Sequence, residues 1–251
     1  MFLECPHDVV CLILSALSTL DWYNLAKINR YLRQHVITAI EKLTYLEFHS
    51  CNDANRVYFF VRHAQSLSQL SFYASHRLIT DRFLSSLSPY LSSVQSLSLA
   101  YCTELTRLAC LNACTSLQSL DLTGCSNLSK LQLHLPSLRS LTCAWCRKLP
   151  AKELIACRLE LQELSLNGWE DHDIDVQLGL LFRSMPSIST LYLAHVPLSR
   201  AGLFVVFQLL PNLQFVQLSK RNANVWVDGT WDMAALEAWM HQRSNVRVSL
   251  V

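Results

Sequence analysis

Ten cysteines are the side chains most open to chemistry in this 251-residue chain, and Cys143 and Cys146 have the Cys-x-x-Cys spacing of half a zinc site. Zinc held that way needs a matched second pair, which Cys110 and Cys114 would have to supply. The opening Met-Phe-Leu-Glu-Cys-Pro has neither the basic flank nor the apolar stretch of a secretory signal, which points to a reducing compartment and free thiols. Nine histidines and many serines guarantee triad-like combinations by chance. The spacings that give such residues a mechanism are missing: there is no Gly-x-Ser-x-Gly elbow, no His-Glu-x-x-His metal helix and no glycine-rich phosphate loop. The five glycines are never paired. We therefore expect no catalytic residues, no bound metal and no cofactor, and the cysteines need another explanation.

Composition narrows the class. Hydrophobic residues make up 51% of the chain and charged residues 16%, against about 25% charged in an average globular chain. That excludes disorder as the main state. The net charge of +2 is spread without a basic stripe, so neither a nucleic acid nor an anionic membrane is an expected partner. The longest apolar runs, such as Val9 to Leu17, fall well short of the roughly 20 residues a membrane span needs. The expectation is an intracellular protein, cytoplasmic or nuclear.

Leucine supplies 48 of the 251 residues, and it recurs in order. The segments Leu43-Thr-Tyr-Leu46-Glu-Phe48-His-Ser-Cys51, Val94-Gln-Ser-Leu97-Ser-Leu99-Ala-Tyr-Cys102, Leu117-Gln-Ser-Leu120-Asp-Leu122-Thr-Gly-Cys125 and Leu138-Arg-Ser-Leu141-Thr-Cys143-Ala-Trp-Cys146 share one pattern. Weaker copies centre on Leu70, Leu164, Leu191 and Val216. The eight central residues are 24, 27, 23, 21, 23, 27 and 25 apart. Each segment alternates like a short strand with one apolar face, and no single unit can bury that face alone, so units must stack. Cysteine five residues after the centre turns inward as a small buried side chain, with Trp169 and Val196 in that slot in later copies.

The pattern resembles the cysteine-containing leucine-rich repeats, whose units run to roughly 20–29 residues. The expected fold is an α/β leucine-rich-repeat solenoid over 43–223, a curved parallel sheet with a helical or irregular convex side. Helical return segments are predicted at 52–65, 80–91, 152–160, 173–184 and 199–210. Leu105/Leu108 and Leu128/Leu131/Leu133 point to extended or 3₁₀ returns between the closely spaced central strands. Residues 224–251 read as a terminal cap. It has a turn at Asp228-Gly229, a short helix after Asp232, and a closing strand in the alternation of Val246, Val248 and Leu250.

On such a sheet the residues beside the apolar centres face the concave side. Tyr73, Tyr101, Asp121, Trp145, Tyr192, His195, Phe215 and Lys220 are the candidate contacts for a protein substrate, because aromatic side chains anchor most protein interfaces.

Residues 1–42 leave the repeat and read as three short helices. Pro6 and Asp8 suit a first turn, Asp21 is a candidate cap of the second helix after a Ser18-Thr19-Leu20 corner, and a third helix runs from about Arg30 to Glu41. The run Cys5-Pro6-His7-Asp8-Val9-Val10, Ile13-Leu14, Leu17, Asp21 and Leu25-Ala26-Lys27-Ile28-Asn29-Arg30 resembles an F-box. Cys5 stands where that family has Leu, and Leu32 where it often has Trp. An F-box ahead of leucine-rich repeats is the layout of F-box/LRR proteins. The resemblance implies a substrate receptor of an SCF-type ubiquitin ligase, docked on a Skp-family adaptor and through it on a cullin. By motif position the adaptor contacts would be Pro6, Val9, Val10, Ile13, Leu14, Leu17 and Leu25. The alternative is a repeat protein whose helical head is only a solenoid cap, with no ligase attached.

Overall fold

The computed structural model describes residues 7–170, 172–219 and 246–251. Within it, nine short strands form one parallel sheet in chain order: β1 (Tyr45–Glu47), β2 (Gln69–Ser71), β3 (Ser96–Ser98), β4 (Ser119–Asp121), β5 (Ser140–Thr142), β6 (Glu163–Ser165), β7 (Thr190–Leu193), β8 (Phe215–Leu218) and β9 (Arg247–Leu250). The eight apolar centres expected from the sequence are aligned in register, from Leu46 and Leu70 through Leu97, Leu120, Leu141, Leu164 and Leu191 to Val216, and Val248 continues the row. The eight sequence-predicted centres are buried, because a one-residue slip would turn the apolar row out to water. This is the solenoid the repeat spacing implies.

Parallel neighbours need crossovers, and the returns supply them. They are α4 (Ala54–His63), α5 (Asp81–Leu87), α6 (Ala151–Cys157), α7 (Ile174–Ser184) and α8 (Arg200–Leu209), close to the predicted helical segments. A 3₁₀ turn at Ser88–Tyr90 extends α5. The return after β3 contains only a 3₁₀ turn, Ala109–Ala113, and the return after β4 has no helix. Successive returns are tied by their acids: Asp81 accepts from the Thr106 amide and hydroxyl, and Asp175 accepts from the Ser199 amide and hydroxyl.

The head is α1 (His7–Ser15), α2 (Thr19–Ile28) and α3 (Arg30–Glu41). Asp21 is not the cap of α2. Ser18 is, with Asp21 three residues on completing a capping box, so Thr19 and Leu20 are helical and not a corner. Asn29 caps α3 through the Leu32 amide. Val36 and Ile40 sink into the main core, while Trp22 stacks on Phe60 and Tyr23 tilts against Phe59, at centroid distances of 6.3 and 5.7 Å. The head thus covers the open end of the first repeat. The turn and helix predicted around Asp228 and Asp232 lie outside the described residues. No helix among the described residues is long and apolar enough to cross a membrane.

The inward slot does more than fill space. Cys102 donates its thiol to the Phe72 carbonyl at 3.3 Å, Cys125 to Leu99 at 3.2 Å and Cys146 to Leu122 at 3.1 Å. Each accepting carbonyl belongs to the preceding repeat, so the thiols form a ladder of cross-repeat bonds. In the second repeat the slot holds Ser75, whose hydroxyl donates to Phe48 at 2.7 Å and accepts from the Cys51 amide at 2.9 Å. Cys51 has no earlier repeat to reach; its sulfur instead accepts from the Arg56 guanidinium at 3.0 Å. Trp169 ends the series of donors, with its indole N–H on the Leu149 carbonyl at 2.9 Å.

Ser75→Ala leaves a buried carbonyl and a buried amide short of a partner, and should cost about 1–3 kcal/mol of unfolding free energy by urea titration. Ser75→Cys, which restores a donor of the kind found in neighbouring repeats, should recover at least half of that loss. An Ala variant as stable as the parent would show that the ladder is packing alone.

Candidate interaction surfaces

Of the eight cysteines from Cys51 to Cys157, seven are buried and Cys110 is half-buried. Burial pushes the Cys102 thiol up to about 12 and the Cys114 thiol up to about 11, and raises Cys125 further. Cys143 is raised well above its ordinary value by its hydrogen bond to Cys146 and by burial. Only the thiolate attacks or ligates, so burial disfavours the reactive form of these four side chains. Among the described residues no three His, Cys, Asp or Glu side chains gather as a metal site.

The residue before the inward slot sits in the left-handed region in seven successive repeats: Ser50, Ala74, Tyr101, Gly124, Trp145, Gly168 and His195, with φ between 46° and 71°. From Ser50 to Gly168 its amide donates to the next repeat, as in Tyr101 to Thr123 and Trp145 to Asn167, at 2.6 and 2.8 Å. That forces the side chain outward at the edge of the sheet. Where the outward residue is Tyr101, Trp145 or His195, the residue before it is a buried alanine, Ala100, Ala144 or Ala194. Where it is small, the residue before it is larger: His49, Tyr73, Thr123 or Asn167.

Rings and glycines interlock along this edge. A Cβ on Gly124 would lie 2.6 Å from the Tyr101 ring, and one on Gly168 would lie 2.3 Å from the Trp145 ring. The Trp145 indole therefore lies across Gly168 and reaches His195, 5.7 Å away between centroids. His49 stacks on Tyr73 at 5.1 Å, and Tyr73 meets Tyr101 edge-on at 5.3 Å. Tyr73, Tyr101, Trp145 and His195 remain exposed, with Trp145 at 38%.

Tyr192 and Phe215 form a further ring pair, 5.5 Å apart on β7 and β8. Asp121 accepts from Ser98 at 3.1 Å and from the Thr123 hydroxyl at 2.7 Å. Glu163 accepts from Ser140 at 3.2 Å, and Glu47 from Tyr45 at 2.7 Å. Burial, together with the Glu163 charge and hydrogen bond, raises the Tyr192 phenol. Lys220 lies outside the described residues. The candidate contacts thus fall into two edge groups, Tyr73–Tyr101 and Trp145–His195, plus a pair on the sheet and one acid. Gly124, Gly168 and Ser75 were missed because their roles depend on a neighbouring repeat.

On the head the motif residues part company. Val10 and Leu14 are buried, Leu17 and Leu25 are half-buried, and Val9 and Ile13 are exposed, while Pro6 lies outside the described residues. Three residues not among the expected adaptor contacts add to the exposed set: Leu12 at 72%, Ile28 at 67%, and Leu20. Among α1, α2 and α3 an apolar cavity of about 170 Å³ is lined by Val10, Ile13, Leu14, Leu25 and Ile28, by Asn29, and on α3 by Leu32 and Val36.

Gly124→Ala should lower stability by about 1–2 kcal/mol from the left-handed backbone alone, and by more where the Tyr101 ring is in place. In a Tyr101→Ala background the same change should cost less, with coupling of about 0.5 kcal/mol or more in a urea double-mutant cycle. Equal cost in both backgrounds would contradict the interlock.

No protein-family model matches the chain, and no curated protein does. Solved structures do. One is TLR13 in its complex with ssRNA13, at 20% identity and a TM-score of 0.50, covering 73% of this chain and 27% of that one. Another is the leucine-rich-repeat-containing protein LegL7 from Legionella pneumophila, at 15% identity and a TM-score of 0.40, covering 86% of each chain. This chain spans only about a quarter of TLR13's length. What the likeness establishes is the fold: a leucine-rich-repeat solenoid.

Proposed function

We propose that this chain is the substrate receptor of an SCF-type cullin–RING ubiquitin ligase, its head docked on a Skp-family adaptor and its concave face holding a protein substrate. The observation that carries this reading is the head's second apolar face. One side of the three helices is used up in covering the first repeat, through Val36, Ile40 and Trp22. The other side keeps Val9, Leu12, Ile13, Leu20 and Ile28 exposed, and Ile13 and Ile28 line an apolar cavity that reaches inward to Val36. A solenoid cap needs one apolar face and a polar outside. Contiguous exposed apolar surface marks an interaction site. The F-box resemblance of residues 5–30 supports a Skp-family adaptor as the partner.

In this reading the chain performs no chemistry. It acts within the cell by proximity, raising the effective concentration of a bound protein beside the ligase's transfer centre. Neither nucleic acid nor membrane enters the reading. The burial of Val36 and Ile40 also favours a second reading, an interaction module whose head is a cap and nothing more.

The two readings separate on adaptor binding. Leu12→Asp with Ile28→Asp changes exposed side chains and should weaken co-purification with a recombinant Skp-family adaptor at least tenfold, leaving the circular dichroism and unfolding midpoint within error. Leu14 is unsuitable for this test because it is 2% exposed and belongs to the core. A parent chain that fails to bind the adaptor would leave the cap-only reading standing.

A further inference from the structure

We infer that the concave face takes an extended basic segment of its protein partner, with Lys or Arg side chains laid between the edge rings and the sheet carboxylates. This rests on the reading that the concave face is the substrate surface. The charge of that face carries the argument. In β1–β8 the side chains flanking the buried centres include three carboxylates, Glu47, Asp121 and Glu163, and no Lys or Arg; on β9 Arg247, level with Phe215, is the one basic side chain in these rows among the described residues. The chain as a whole is +2, so the negative face is not a reflection of bulk charge.

The carboxylates are held but not neutralised. Hydroxyls from Tyr45, Ser98, Thr123 and Ser140 orient them. Among the described residues the one ion pair, Arg107 with Asp81 at 3.4 Å, belongs to the return segments. Acids that are oriented and lack a basic partner are complementary to an incoming cation.

The rings add the second half. Along the stack the order is Tyr101, Asp121, Trp145, Glu163, one repeat each. A cation over Trp145 or Tyr101 gains from the ring face, while the carboxylates, three or more residues from the rings along the strands, meet other basic side chains of the same segment. Neighbouring strands lie about 4.8 Å apart, and Asp121 and Glu163, two strands apart, are also offset by two residues along them, so they are separated by roughly 12 Å. An extended chain covers that distance in about three to four residues. The recognised segment therefore carries basic residues at intervals of about three to four. A phosphate backbone would meet the same carboxylates with like charge.

The test uses the full chain and fluorescein-labelled peptides of Arg-Ser-Ser repeated three times and Glu-Ser-Ser repeated three times, with a nine-nucleotide single-stranded RNA as a third probe. Fluorescence anisotropy at low salt should show the Arg peptide bound at least tenfold tighter than the other two, and weaker as salt is raised. Asp121→Asn with Glu163→Gln, and separately Trp145→Ala, should each weaken it at least fivefold, while Trp145→Phe retains part of the affinity. Adaptor binding should stay at the parent level in all variants. Arg-peptide binding that ignores these substitutions overturns the proposal. Preferential binding of the Glu peptide, lost in Trp145→Ala, overturns the basic segment and keeps the concave face as a protein site. RNA bound in preference to all peptides, or no probe bound at all, overturns both.

Discussion

The turn that closes each strand gives two adjacent residues opposite fates, and the rest of the molecule depends on that. The first residue is held in the left-handed region and turned to water. The second is drawn inside, and from Ser75 to Trp169 its donor reaches a carbonyl of the repeat before it, as Cys125 reaches Leu99. A helix satisfies its own backbone; a three-residue strand cannot. Its amides and carbonyls must be paired with neighbours on both sides, and any buried group left over costs about 1–3 kcal/mol. Cross-repeat bonds from the strands, the turn amides and the inward side chains together leave little unpaired. Thiols suit the slot because they are small, apolar and still able to donate.

Left-handed backbone costs an ordinary residue about 1–2 kcal/mol, and glycine would be the easy solution everywhere. Only Gly124 and Gly168 take it among the seven edge positions. Both lie under a ring from the repeat before, Tyr101 or Trp145. Glycine here is set by close approach as much as by φ. The edge keeps Tyr101, Trp145 and His195 in strained positions where a small residue would fold at least as well, which is the physical reason to read them as interaction residues.

Much of this was legible in the chain itself. The 21–27-residue interval fixed every strand centre from Leu46 to Val216, because register follows from which residues must be buried. Placing cysteine inward at 51, 102, 125 and 146 followed from the same spacing. Ser75 escaped notice because serine does not announce itself as a buried residue; its role exists only once Phe48 is overhead. The pairing of Gly124 with Tyr101 is a relation between repeats, invisible within either. On the head, Asp21 looked like a cap from its type alone, but Ser18 precedes it by three and takes the position. Leu12 and Leu20 lie outside the family motif, Ile28 lies within it but not among the expected adaptor contacts, and only the packing of the three helices shows them unused.

The account places two separate binding surfaces on one continuous stack. Hydrogen exchange by mass spectrometry, on the chain alone and saturated with a Skp-family adaptor, tests that directly. The account predicts slowed exchange in α1 and α2, over residues 9–28, with β3 to β7 unchanged. Protection spread along the strands, or none on the head under conditions where the adaptor is bound, would contradict it.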